Sequence, residues 1–215
     1  MSGYEISETN KAEILQAALA YLAFDGFTDA VVEKAAQSVG IEPSEVALAF
    51  PRGGIDLAIY FVRDGVAEME TKLATLDIES MKIRERIKSA VKIRLEVDTD
   101  KKEIARRAFN MLALPGNARD ASICIAHTVD VMWRSTGDES TDFNFYTKRT
   151  TLAAVYSATR LFWLNDDSAE SMDSWAFLDR RIDNVMQIEK VKAKFRELKD
   201  RLGNPLETLA KFRYR

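Results

Sequence analysis

Histidine is almost missing from this 215-residue chain: His127 is the only one. A zinc site built on imidazoles, or a di-iron site with two Glu-x-x-His motifs, needs more of them. Cysteine also occurs once, as Cys124, which excludes an internal disulfide. Four prolines and nine glycines are few, and they fall between periodic segments. No apolar run approaches the roughly 20 residues of a membrane span. The longest, "LAAVYSATRLFWL", is interrupted by Arg160. The start "MSGYEISETNKAE" has neither a basic leader nor an apolar one. Gly-rich phosphate loops, Ser-His-Asp order and paired-carboxylate motifs do not stand out, so the chain is not read as an enzyme. The net charge of -3 gives no general attraction to nucleic acid. These absences point to a soluble protein of a reducing compartment and leave contact with a membrane surface open.

What is present is helical periodicity, with no convincing two-residue alternation, so the expected class is all-α. "NKAEILQAALAYLAFDG" opens on a possible Asn10–Glu13 capping box and stops at Gly26. "TDAVVEKAAQSVG" has Thr28 or Asp29 as its cap and Gly40 as its stop. "EPSEVALAF" has Pro43 suited to a first helical position and ends at Pro51. Three short helices with tight turns read as a helix-turn-helix unit over 1–54. Longer helices follow, from Ile55 to about Leu76 and from Met81 to about Val97. A third is capped by Asp100, a fourth runs from "ARDAS" to near Gly137, and a fifth is capped by Thr141 or Asp142 and ends about Leu164. The last runs from near Ser174 to Leu202. Residues 55–184 are expected to form a larger helical part, which the resemblances given below imply binds ligand and dimerises, and 185–215 a basic amphipathic helix and tail.

The segment "ILQAALAYLAFDGFTDAVVEKAAQSVGIEPSEVALAF" resembles the amino-terminal unit of TetR-type regulators, which read DNA with the third helix. Here that helix, "PSEVALAF", offers no Arg, Lys, Asn or Gln, the four types that usually read base edges. Residues 1–60 hold three basic side chains against nine acidic ones, a net -6. Phosphate binding needs the opposite sign. A TetR-type ligand-responsive repressor is therefore the second reading, and the expectation is no affinity for duplex DNA.

The run "HTVDVMWRSTGDESTDFNFYTKRTTLAAVYSATRLFWLNDDS", continued by "FLDRRIDNVMQIEK", resembles the family of accessory lipid-binding proteins of coenzyme Q biosynthesis, the ninth in that pathway's naming. That family has a TetR-like fold without TetR-like DNA binding. The resemblance implies a non-enzymatic protein with no cofactor, binding isoprenoid quinones or phospholipid in an apolar pocket. It implies presentation of quinone intermediates to the di-iron demethoxyubiquinone hydroxylase, as a likeness to TetR proteins implies a homodimer. The expected place is cytoplasmic, peripheral on the inner face of the cell membrane. Carried across by position, the hydroxylase patch falls on Asp130, Met132, Asp142, Phe145 and Tyr146. Relatives often have Trp where this chain has Phe145, which loses area and the indole donor.

Spacing alone offers a plainer reading, in which Phe143 and Tyr146, three apart, face the core. Phe145 points away from Phe143. Phe109, Met111, Leu112, Trp133, Tyr156, Phe162 and Trp163 are candidate pocket walls, and the same spacing fits ordinary core. Arg160, among them, needs a partner or an exposed face. Cys124 and His127 share a helix face and read as a buried pair rather than a nucleophile and its base. At the far end, Val185, Ile188, Val191, Phe195, Leu198 and Leu202 draw an apolar stripe. From Met186 to Arg215 nine basic residues face four acidic ones, a net +5. A packed helix with a solvated basic face accounts for this; so does a helix lying in an anionic bilayer interface through Val191, Phe195, Leu198 and Leu202.

Overall fold

The structure is a computed structural model. It describes the backbone of residues 3–138 and 143–202, and side chains over 8–138 and 145–187. Among the described residues the regular structure is helical: α1 (Gly3–Asp25), α2 (Asp29–Ser38), α3 (Pro43–Ala49), α4 (Gly54–Ala74), α5 (Ile83–Glu96), α6 (Lys102–Leu112), α7 (Ala118–Ser135), α8 (Phe143–Leu164) and α9 (Met172–Leu202).

Most local signals act as expected. Thr28 Oγ1 accepts from the Val31 N–H at 3.3 Å and starts α2. Gly40, at φ +73°, closes it in the left-handed region. Pro43 opens α3, and the Glu45 carboxylate reaches back to the Glu42 N–H at 3.3 Å. Two starts differ. Asn10 caps nothing, because α1 begins at Gly3: no breaker separates Gly3 from Asn10, and Lys11 pairs with Glu8 across it at 2.7 Å. Asp100 lies within a 3-10 turn, Thr99–Lys101, and α6 starts after it with no side-chain cap. The proposed caps Thr141 and Asp142 of α8 lie outside the described residues.

The core is one contiguous cluster from Ile14 on α1 to Ile182 on α9. Helix α4 runs through it and packs against α1, α2, α5, α6 and α7. Small residues let its neighbours approach. At Gly65 an added Cβ would lie 2.9 Å from Arg94 Nη2 of α5. Arg94 is fully buried and pairs with Asp98 at 2.8 Å, which satisfies its charge where water cannot. The start of α4 is tied to α2: Asp29 Oδ1 accepts from the Gly54 N–H at 2.9 Å. A Cβ at Gly54 would fall 2.2 Å from the Phe27 carbonyl oxygen.

The turn after α8 is held by Asp166, which accepts from the backbone of Ser168 at 2.8 Å and of Ser174 at 2.9 Å. The Ser174 hydroxyl also donates to it. Burial alone would raise this carboxyl, but the bonds from Ser174 and Ser168 outweigh it and hold its pKa at about 2. Lys102 and Arg106 of α6 donate to the Asp166 and Leu164 carbonyls and pin the same turn to α6.

Candidate functional site

Helices α5, α7, α8 and α9 enclose an apolar cleft of about 340 Å³. Ile83 and Ile87 come from α5, Trp133 from α7, Leu152 and Val155 from α8, and Ile182 and Val185 from α9. The volume is within the range of small-molecule pockets, and so is the pattern of apolar walls with few polar points. Arg84 and Trp133 are among them: Arg84 Nη1 pairs with Asp183 at 2.6 Å, and Trp133 Nε1 is shut away from solvent without a hydrogen-bond partner.

The mouth of this cleft adjoins the aromatic motif. Thr147 and Lys148 line the cleft, and Phe145 and Tyr146 directly precede them. Tyr146 is 68% exposed and Phe145 is half-buried, so Tyr146 does not face the core. The two rings meet edge to face at 5.2 Å. The Arg149 guanidinium lies 3.5 Å over the Phe145 ring. Arg149 is itself held by Asp130 at 2.7 Å and by Asp138 at 3.3 Å. Lys148 pairs with Asp138 at 2.6 Å, and Arg134 with Asp130 at 2.9 Å. The basic pair of the motif thus clamps α8 to α7 and presents Tyr146 on a rim of fixed charges. Met132, on the inner face of α7, is fully buried rather than on the rim. Asp142 lies outside the described residues, as do the side chains of Phe143, Val191, Phe195, Leu198 and Leu202.

The pocket residues read from the sequence separate. Trp133 lines the cleft. Phe109, Leu112 and Tyr156 line a second, smaller cavity, between α4, α6, α7 and α8. Met111, Phe162 and Trp163 line neither: Met111 packs partly buried on the core, Trp163 is 1% exposed, and Phe162 stacks on Phe177 at 4.6 Å. The α5 and α9 walls, Ile83, Ile87, Ile182 and Val185, were not singled out as pocket residues from the sequence. Their periodicity is that of any packed helix. Cys124 is buried but His127 is exposed, so the pair is divided by the edge of the α7 buried face. Among the described residues no cluster of His, Cys, Asp and Glu could hold a metal ion, and no helix is long and apolar enough to cross a membrane.

In the front unit the three basic side chains are all engaged. Lys11 pairs with Glu8, and Lys34 lies 3.9 Å over the Tyr21 ring. Arg52 bonds Asp56 at 2.9 Å and Asp120 of α7 at 2.8 Å. The Arg52 bond lowers the Asp120 carboxyl below its ordinary value.

Comparison with known proteins agrees with this architecture. The COQ9 family model matches residues 118–189, which hold the aromatic motif and three of the four cleft helices. Ubiquinone biosynthesis protein COQ9, mitochondrial, of Homo sapiens is 35% identical over 192 residues, covering 86% of this chain and 60% of that protein. The probable ubiquinone biosynthesis protein coq9, mitochondrial, of Dictyostelium discoideum is 31% identical over 206 residues, covering 92% and 66%. The chain spans about 60% of the length of the human relative. A TetR transcriptional regulator from Nitrosomonas europaea superposes with a TM-score of 0.63 at 18% identity, over 80% of this chain and 95% of that one, a likeness of fold alone. The chain belongs to the COQ9 family and carries it on an all-α, TetR-like fold.

Proposed function

We propose that this protein is a non-enzymatic accessory protein of ubiquinone biosynthesis, which takes up an isoprenoid quinone intermediate or a phospholipid in the α5–α7–α8–α9 cleft. It presents the quinone to a di-iron hydroxylase at a membrane surface. The observation that carries this reading is one of placement: one wall of the cleft continues into the Phe145–Tyr146 rim, and another, at Val185 and Met186, is the part of α9 that leads into the basic amphipathic stretch. A ligand in the cleft thus lies between a candidate partner surface and a candidate membrane contact. The Trp133 indole gives the cleft an aromatic wall suited to a quinone ring. Tyr146, exposed and backed by Phe145, has the anatomy of a hot spot, an aromatic anchor inside a polar rim. Exposed Leu161 and the stacked Phe162–Phe177 pair support a homodimer through α8 and α9.

The test is the lipid content of the purified protein. Wild type is expected to yield isoprenoid quinone or phospholipid by mass spectrometry. Leu152→Trp with Val155→Trp, which fills the cleft, should yield much less at unchanged helicity. Equal lipid in both proteins, or none in wild type, sinks the assignment. Tyr146→Ser with Phe145→Ala should weaken binding to the hydroxylase while the melting curve stays near wild type. Unchanged binding removes the rim from the proposal. The repressor reading is opposed by the front unit's acidic charge and by the engagement of its three basic residues.

A further inference from the structure

The smaller cavity shares no lining residue with the cleft. It measures about 190 Å³ and lies between α4, α6, α7 and α8. Its walls are apolar or neutral, among them Val62, Phe109, Leu112, Cys124 and Tyr156, with one exception. Arg160, from the middle of "LAAVYSATRLFWL", lines it and is 7% exposed. Its Nη2 has no hydrogen-bond partner, and Arg160 makes no ion pair among the described residues. The Phe109 ring, 5.6 Å from the guanidinium, supplies some attraction but no counter-charge. Cys124 supplies none either: burial pushes its thiol up, against the opposing pull of Arg63 and Arg160, so it stays protonated at neutral pH.

An arginine buried without an acid is costly unless an anion or a strong acceptor meets it. Its planar fork fits a carboxylate on two parallel bonds. The space sets the size of what carries that carboxylate. A cavity of roughly 150 Å³ lined by aliphatic and aromatic side chains admits benzene. At 190 Å³ the cavity has room for one ring with a small substituent, and none for a long acyl or prenyl chain. The ring faces of Phe109 and Tyr156 suit an aromatic body. The opening is at Ala113, Ala121 and Ile125, which are exposed or half-exposed.

We propose that this cavity is a binding site for a small aromatic carboxylate, its carboxylate on the Arg160 guanidinium and its ring among Phe109, Leu112 and Tyr156. The site stands apart from the lipid cleft, and its failure would leave that reading untouched.

The sole cysteine makes the test direct, since Cys124 lines the cavity and no other thiol can respond. The whole chain is treated with the uncharged reagent 4,4′-dithiodipyridine in the presence of benzoate, benzamide or palmitate. Direct binding of benzoate is read in parallel by saturation-transfer NMR. Millimolar benzoate is expected to slow Cys124 modification and to give a saturation-transfer signal. Benzamide, which lacks the charge, should bind about ten- to a hundred-fold more weakly, the range for losing a charge-assisted hydrogen bond. Arg160→Met should lose benzoate binding to the same degree with its helicity kept, and Arg160→Lys should retain part of it. Four results would overturn the proposal. Benzamide could protect as well as benzoate, or Arg160→Met could bind benzoate as well as wild type. Absence of both protection and signal in wild type would leave Arg160 a hydrated structural cation. Palmitate outcompeting benzoate would assign the carboxylate to a lipid and overturn the single-ring ligand.

Discussion

Asp98→Ala tests whether the buried ion pair fixes α5, and through it one wall of the cleft. Arg94 is 0% exposed and Asp98 2% exposed, and Arg94 Nη1 lies 2.8 Å from Asp98 Oδ2. The other contact of the guanidinium is a long 3.4 Å bond to the Val62 carbonyl of α4. Removing the carboxylate therefore leaves a cation in the core with almost nothing in its place. Breaking a buried pair in this way costs about 3–5 kcal/mol. For a chain of this size each kcal/mol lowers the melting temperature by about 2–4 °C, so the fall should be roughly 6–20 °C. The neutral double variant Arg94→Met with Asp98→Leu should recover most of it, because desolvation of the charges disappears with them. Urea and thermal unfolding followed by circular dichroism measure both proteins. If Asp98→Ala costs under about 1 kcal/mol, or the double variant is worse than the single one, the pair is not the lock between α4 and α5.

Four further outcomes are expected. Gly54→Ala, whose Cβ would meet the Phe27 carbonyl at 2.2 Å, should destabilise by about 3 kcal/mol or more in urea titration, since backbone on both sides must shift. Asp166 has its carboxyl depressed to about 2, so its contribution is fully present above the ordinary carboxylate value near 3.8 and is lost as pH falls through about 2; Asp166→Asn should flatten the acid limb of the melting curve. Gel-shift titrations with duplex DNA at moderate salt should show no complex, and a submicromolar, salt-sensitive shift would contradict the charge argument. The protein should sediment with anionic vesicles at low salt and lose this with Phe195→Asp plus Leu198→Asp; equal sedimentation of the variant would place any membrane contact elsewhere.

The helices were readable where local chemistry decides them. Thr28, Gly40 and Pro43 act through bonds and backbone angles within a few residues, and each ends or starts a helix as its type dictates. The start of α1 was not readable, because Asn10 carries the same capping signal in a helix interior as at an end. The cavities were illegible for a different reason. Phe109, Tyr156 and Trp133 have the spacing of any buried face, and whether such a face meets a neighbour or a void depends on packing among four helices. Arg160 was the exception: an arginine inside an apolar run announced an unsettled charge, and the fold left it unsettled. Phe145 and Tyr146 stood out by composition. Which of them reaches solvent depended on Arg149, nineteen residues from Asp130 in sequence, closing over the Phe145 ring.

The Gly53–Gly54 pair has a mechanical consequence. Two adjacent glycines between a small unit and a larger one suggest a hinge, and a DNA-reading repressor needs one, since its response to ligand requires two arrangements of the reading head. Here the pair is a weld. The Gly54 N–H is fastened to Asp29, Gly54 sits against the Phe27 carbonyl with no room to swing, and Arg52 next door is staked to Asp120 of α7. The first three helices are thus fastened to α4 and α7 at this junction. The junction is a fastening where a ligand-driven switch would need a hinge, and its glycines serve close approach rather than swing.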